Sequence, residues 1–108
     1  MPRVDIPVLS ADRSGTTLTP TTGDPVNNHS VQNDGRTGII VENSGSTVSR
    51  TVTFRIARKV DGFAVTSRTE VLTVGQKQLF GPFDVSEYGG KLLVDVDNAE
   101  LKLTPIRI

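Results

Sequence analysis

Ser49-Arg50-Thr51-Val52-Thr53-Phe54-Arg55-Ile56-Ala57 decides the fold class. Successive side chains alternate across a pleated strand, so Val52, Phe54 and Ile56 share one face and Thr51, Thr53 and Arg55 share the other. One face of this segment belongs in a core. The other belongs in water or against polar neighbours.

The same reading extends in both directions. Upstream, Arg36 to Glu42 carries Ile39-Ile40-Val41, a β-branched run suited to a central strand. It is bracketed by two turn signals, Asn33-Asp34-Gly35 and Asn43-Ser44-Gly45. His29 to Asn33 reads as the strand before the first of these turns. Downstream, Asp61-Gly62 marks a turn, and Val71, Leu72 and Val74 form a strand ending near Gly75. Gln78 to Phe83 is a further strand anchored by Leu79, Phe80 and Phe83. Pro82 has no amide donor and places part of it at an edge or bulge. Tyr88-Gly89-Gly90 breaks the chain, after which Leu92, Val94 and Val96 alternate with Lys91, Leu93 and Asp95. Asp97-Asn98 turns into a last strand in which Leu101 and Leu103 alternate with Lys102 and Thr104. After Pro105 the phase shifts, leaving Ile106 and Ile108 for a separate strand or tail.

No segment repeats apolar residues at the helical period. About seven short strands with turns every 8–12 residues predict an all-β domain, a single β-sandwich of jelly-roll or Ig-like type.

The N-terminal quarter differs. Residues 3–9 alternate up to Pro7 and read as a short strand or extended arm at an edge. Residues 10–28 are rich in Ser, Thr, Asp, Asn, Gly and Pro, with Leu18 and Val26 as their sizeable apolar residues. Such a stretch buries too little surface to offset its ordering entropy. Two readings stay open: a floppy arm, or an arm ordered on a neighbouring subunit. The expected division is an extended arm and loop over 1–28 and the sandwich over 29–108.

Composition narrows the function classes. At 108 residues the chain fits one domain with one thin core. Its 12 basic and 12 acidic residues cancel and are interspersed, so no basic stripe points to nucleic acid. The absence of cysteine removes disulfides and thiolate chemistry. No run approaches the roughly 18 apolar residues of a membrane span. Met1-Pro2-Arg3-Val4-Asp5 lacks the apolar stretch of a signal peptide, so the chain is expected to be made in a cytoplasm and kept there until it joins something.

Candidate chemistry is sparse. His29, the single histidine, lies beside Asn27 and Asn28 in a polar stretch and reads as a surface or loop residue, since no spacing places a nucleophile and carboxylate around it. Asp95, Asp97 and Glu100 form an acidic cluster with the oxygen chemistry of a calcium site, but without EF-hand spacing. Asp97-Asn98 is better explained as a turn, since both residues favour turn geometry. The sequon Asn28-His29-Ser30 is a chance match without secretion. Phe54, Phe80 and Phe83 read as core, and a stacking surface would need exposed rings. The expectation is a non-enzymatic protein without metal or cofactor.

The order from Asn33 onward resembles a family. Asn33-Asp34-Gly35-Arg36-Thr37, Ile39-Ile40-Val41-Glu42-Asn43, Thr51-Val52-Thr53-Phe54, Val60-Asp61-Gly62, Gly81-Pro82-Phe83, Tyr88-Gly89, Leu93-Val94-Asp95-Val96-Asp97 and Leu101-Lys102-Leu103-Thr104 carry the resemblance. It is to small head-associated, capsid decoration-like structural proteins of tailed phages infecting actinobacteria, over about residues 30–108. The resemblance implies a virion protein made in the host cytoplasm, binding the outer surface of the head and bridging major capsid protein subunits. Its partners would be the major capsid protein and other copies of itself, with no nucleic acid and no membrane. The alternatives are a neck or tail adaptor of the virion, or a carbohydrate-binding module for host attachment. The expected contact residues are Ile6, Val8, Leu9 and Leu18. The competing reading of these four is an ordinary edge strand folded onto the domain's own core.

Overall fold

The computed structural model describes residues 3–56, 59–64 and 67–107. Two mixed sheets pack together, with a small ribbon beside them. The first sheet runs in the order β1 (Val4–Ile6), β4 (His29–Gln32), β11 (Lys91–Val96), β6 (Arg50–Arg55) and β9 (Arg68–Leu72). The second runs β10 (Lys77–Phe80), β5 (Thr37–Asn43), β12 (Leu101–Arg107) and β2 (Leu9–Ser10), and β3 (Thr21–Thr22) also pairs with β12. β7 (Lys59–Val60) and β8 (Phe63–Ala64) form the ribbon.

Register assembles the core. Val94 lies opposite Phe54, Val96 opposite Val52 and Leu92 opposite Val31, so the central strands of the first sheet present an apolar inner face. Leu103 opposite Val41, with Ile39 and Leu101, supplies the facing layer, and all of these side chains are buried. Phe54 packs on Phe80 and Phe83 at centroid distances of 5.3 and 4.9 Å, and Phe83 meets Tyr88 edge-on at 5.0 Å. Offset and edge-on geometries suit the ring quadrupoles, each worth about 0.5–1.5 kcal/mol beyond burial. These rings close the side of the molecule where β9 and β10 end their sheets.

Turn chemistry follows the sequence. Gly35 adopts φ 87°, a left-handed conformation that glycine tolerates, while Asn33 Oδ1 accepts from its amide at 3.1 Å. Asn43 is buried, yet its Nδ2 donates to the carbonyls of Val48 and Leu72 at 3.0 Å and its Oδ1 accepts from Gly45 N. That side chain replaces the hydrogen bonds the turn cannot make with itself.

The structure corrects several expectations. The expected arm pairs with the domain's own sheets at Val4–Ile6, Leu9–Ser10 and Thr21–Thr22. β1 runs parallel to β4, β2 parallel to β12, and β3 antiparallel to β12. Gly23 N donates to Leu101 O at 2.8 Å, and a Cβ on Gly23 would stand 2.7 Å from that oxygen. This close backbone approach needs glycine and docks the polar stretch without apolar burial. β1 does sit at an edge, as Pro7 requires.

One helical turn, α1 (Val85–Tyr88), interrupts the expected all-strand pattern. Asp84 caps it, accepting from Ser86 N at 2.9 Å. Four residues are too few to show a helical period. Among the described residues no helix is long and apolar enough to cross a membrane.

β12 continues through Pro105 as one strand. Leu101 O accepts from Gly23 N and Arg107 O accepts from Ala11 N, so residues of this parity face the β3 and β2 side. Pro105 falls between the short stretches those two strands cover, where no ladder bond is lost. β9 and β10 stop at Leu72 and Phe80, earlier than expected. Ala57 and Ile108 lie outside the described residues.

Candidate functional site

The outer faces of the two sheets differ in kind. On the first, Thr51, Thr53, Arg55, Lys91, Leu93, Asp95, Ser30 and Asp5 alternate with the core residues. The charges there are mutually engaged. Asp95 takes Arg3 Nη1 at 2.6 Å on one oxygen and Arg55 Nε at 2.6 Å on the other. Arg3 also donates to His29 O at 3.0 Å, and Ser30 Oγ donates to Asp5 at 2.8 Å.

On the second sheet, register divides the outer face into rows. One row is polar: Lys77, Glu42, Lys102 and Thr22. The next holds Leu79, Ile40 and Thr104, and the third holds Gly38, Ile106 and Leu9. Leu79 is 61% exposed and Leu18 49% exposed, while Ile40, Ile106 and Leu9 are half-buried. Two shallow hollows meet at Ile106. One, of about 240 Å³, is lined by Arg36, Gly38, Leu79, Phe80, Pro82 and Ile106; the other, of about 220 Å³, by Ala11, Asp12, Thr16, Leu18 and Ile106. A polar row beside a contiguous apolar area has the anatomy of an interface core and rim.

The four expected contact residues separate. Ile6 is core and Val8 packs against it. Leu9 and Leu18 reach the apolar face through β2 and the loop after it. Sequence reasoning missed Leu79, Ile40 and Ile106 as surface residues, because Leu79 and Ile40 read as buried strand positions and Ile106 as part of a separate strand or tail. The available signal was phase: Ile40 alternates out of step with Thr37, Ile39 and Val41, whose side chains are buried.

His29 is buried rather than superficial, because its register opposite Val94 points it inward. Its Nε2 accepts from Asp24 N at 2.8 Å, which leaves Nδ1 to donate to Val4 O at 3.3 Å. Burial lowers its pKa below the ordinary 6.5, against the upward pull of the Val4 carbonyl and Asp24. The ring joins β1 and the 24–28 turn to the sheet.

The acidic cluster is occupied by protein partners. Asp95 holds two guanidinium groups, Glu100 Oε1 accepts from Arg50 Nε at 2.8 Å, and Asp97 accepts from Thr51 N at 3.0 Å. Asn98 Oδ1 accepts from Glu100 N, an Asx turn. Among the described residues no group of three or more metal-ligating side chains converges.

A larger groove, about 460 Å³, opens between the edge strands β9 and β10 beside α1. Phe54, Phe80, Phe83 and Tyr88 form its floor, and Arg68, Glu70, Asp84 and Glu87 its rim. Register puts Arg68 and Glu70 on the face that elsewhere carries core residues, opposite Phe54 and Val52. At the edge these inward-facing charges emerge into the groove. Two amide and hydroxyl donors from Ser86 hold Asp84 below the usual carboxylate range, the backbone donor contributing most. The nearby Tyr88 hydroxyl, then Glu70, raise Arg68 further.

Comparisons with family models, curated proteins and solved structures return no match to this chain.

Proposed function

We propose that this protein is a non-enzymatic assembly module, a capsid decoration protein that docks on the head of a phage through the outer face of its second sheet. One observation carries the reading: Leu79, Ile40, Ile106, Leu9 and Leu18 form a continuous apolar area on that face, bounded by the Lys77, Glu42 and Lys102 row. The opposite outer face engages its charges internally, and its exposed Val71, paired with Thr51, and half-buried Leu93, paired with Ser30 and Arg55, stand apart from each other. Exposed apolar patches rimmed by polar residues mark interaction sites.

The virion setting comes from the resemblance in turn order, and it names the major capsid protein as the partner. A flat apolar contact of modest strength suits a protein used in many symmetric copies, where simultaneous engagement multiplies the effect of each contact. The finer topology, jelly-roll or Ig-like, is part of the same proposal. Neighbours distant in sequence, such as β4 beside β11 and β5 beside β12, are the kind of connection those sandwiches use. Buried Phe83 and Tyr88 argue against a sugar-stacking platform at that site.

The test is co-sedimentation with particles of the major capsid protein from the same genome. The native chain is expected to sediment at hundreds of copies per head, and Leu79→Asp to fall by about tenfold or more, as a charge at a desolvated hot spot does. A ring-sized copy number would favour the neck or tail adaptor. Undiminished binding of Leu79→Asp would remove this face from the account.

A further inference from the structure

We infer that the groove between β9 and β10 receives an arginine side chain presented by an extended protein segment. Three features converge there. The floor is aromatic: Phe80 is half-buried at the mouth, and Phe83 and Tyr88 lie beneath. The rim sets three carboxylates, Glu70, Asp84 and Glu87, against one guanidinium, Arg68, so the groove carries an excess of two negative charges in a chain whose net charge is zero. Among the described residues no cation stands within ion-pair distance of Asp84 or Glu87, and Arg68 lies 3.5 Å from Glu70.

The third feature is the pair of strand edges flanking the groove. β9 pairs with β6 alone and β10 with β5 alone, so each presents an unpaired edge among the described strands. An extended segment adds to such an edge by main-chain hydrogen bonds, and side-chain pockets then give the selectivity. The planar guanidinium fits this pocket better than an ammonium. It stacks on an accessible aromatic face, here the half-buried Phe80, and bonds carboxylates through two parallel donors. The docking face on the outside of the second sheet meets this groove at Phe80, Gly81 and Pro82, and the rim residues Glu70, Asp84 and Glu87 belong to the groove alone, so responses there let either proposal fail without the other.

The test is an amide-resonance titration of the full chain with acetyl-Thr-Val-Arg-Val-Thr-amide. Saturable shifts are expected at Arg68, Glu70, Phe80 and Asp84 to Tyr88. The same peptide with citrulline in place of arginine keeps the shape and loses the charge, and is expected to bind about tenfold more weakly. Glu70→Gln with Glu87→Gln is expected to weaken the arginine peptide by a similar factor. Asp84→Asn removes a charge yet keeps a good helix cap, so it separates charge loss from local unfolding. Equal binding of the citrulline peptide overturns the inference. So does the absence of saturable shifts up to about 10 mM, or shifts confined to the outer face of the second sheet. A maltohexaose control that moves the groove resonances where the peptide does not would make it a sugar site instead.

Discussion

The outer faces of the two sheets are built on the same alternation and end in opposite states. The first sheet's face spends its charged groups on itself, with Asp95 held by Arg3 and Arg55 and Asp5 held by Ser30. The second sheet's face leaves Leu79 and Leu18 exposed, with Ile40, Ile106 and Leu9 half-buried beside them. Both faces satisfy the backbone equally well. The difference lies in side chains that pair with one another on one face and remain partly exposed and apolar on the other. A surface that folding does not require is free to serve association.

That contrast can be broken or sharpened by substitution. The largest effect belongs to the core beneath both faces. Phe54→Ala is expected to cost about 3–5 kcal/mol in denaturant unfolding, because it empties the centre of the aromatic cluster. A cost below about 1 kcal/mol would mean that the rings do not tie the two sheets together.

Asp95→Ala tests the self-satisfied face. It strands two guanidinium groups and loosens β1, so a loss of about 1–3 kcal/mol is expected, scaled down by the partial exposure of Arg55. A neutral outcome would make the network ornamental and would weaken the contrast.

Acid provides a gentler probe of the same edge. The folded pKa of His29 is lowered by burial, so its contribution is complete above its ordinary value of 6.5 and is lost as pH falls below it. Protonation forfeits the Asp24 N–H bond to Nε2. Urea midpoints are expected to fall between pH 6.5 and the onset of carboxylate titration, and to flatten over that range in His29→Gln. The carboxylates of Asp12, Asp24, Asp34 and Asp84 are also lowered, by amide donors first, and act only below their ordinary 3.8. An unchanged slope in His29→Gln would exclude the ring as the source.

The smallest stability effect is expected on the apolar face. Leu79→Asp should change unfolding by less than about 0.5 kcal/mol while removing particle binding. A large loss of stability would show that Leu79 belongs to the fold and that the two faces do not differ in the way described.

Much of the sandwich was legible because period-two alternation is local. Val52 and Phe54 inward, Thr51 and Thr53 outward, follow from nine consecutive residues. The turns at Asn33-Asp34-Gly35 and Asn43-Ser44-Gly45 are local as well. The candidate site was less legible. Leu9 and Leu18 read as contact residues, yet Leu79 and Ile40 read as interior and Ile106 as a separate strand or tail, since an apolar strand residue looks the same on either face until its partner strand is known. The short helix Val85–Tyr88 offered no period at all.

By itself the sequence determined the all-β character, the main turn positions and the apolar inner face, because each depends on neighbours a few residues apart. Tertiary structure alone decided that residues 3–28 join both sheets, that His29 turns inward, and that Arg3 meets Asp95 across 92 positions. Those outcomes rest on the register between strands distant in the chain. A shift of one residue exchanges inside for outside, and only the packed whole selects between them.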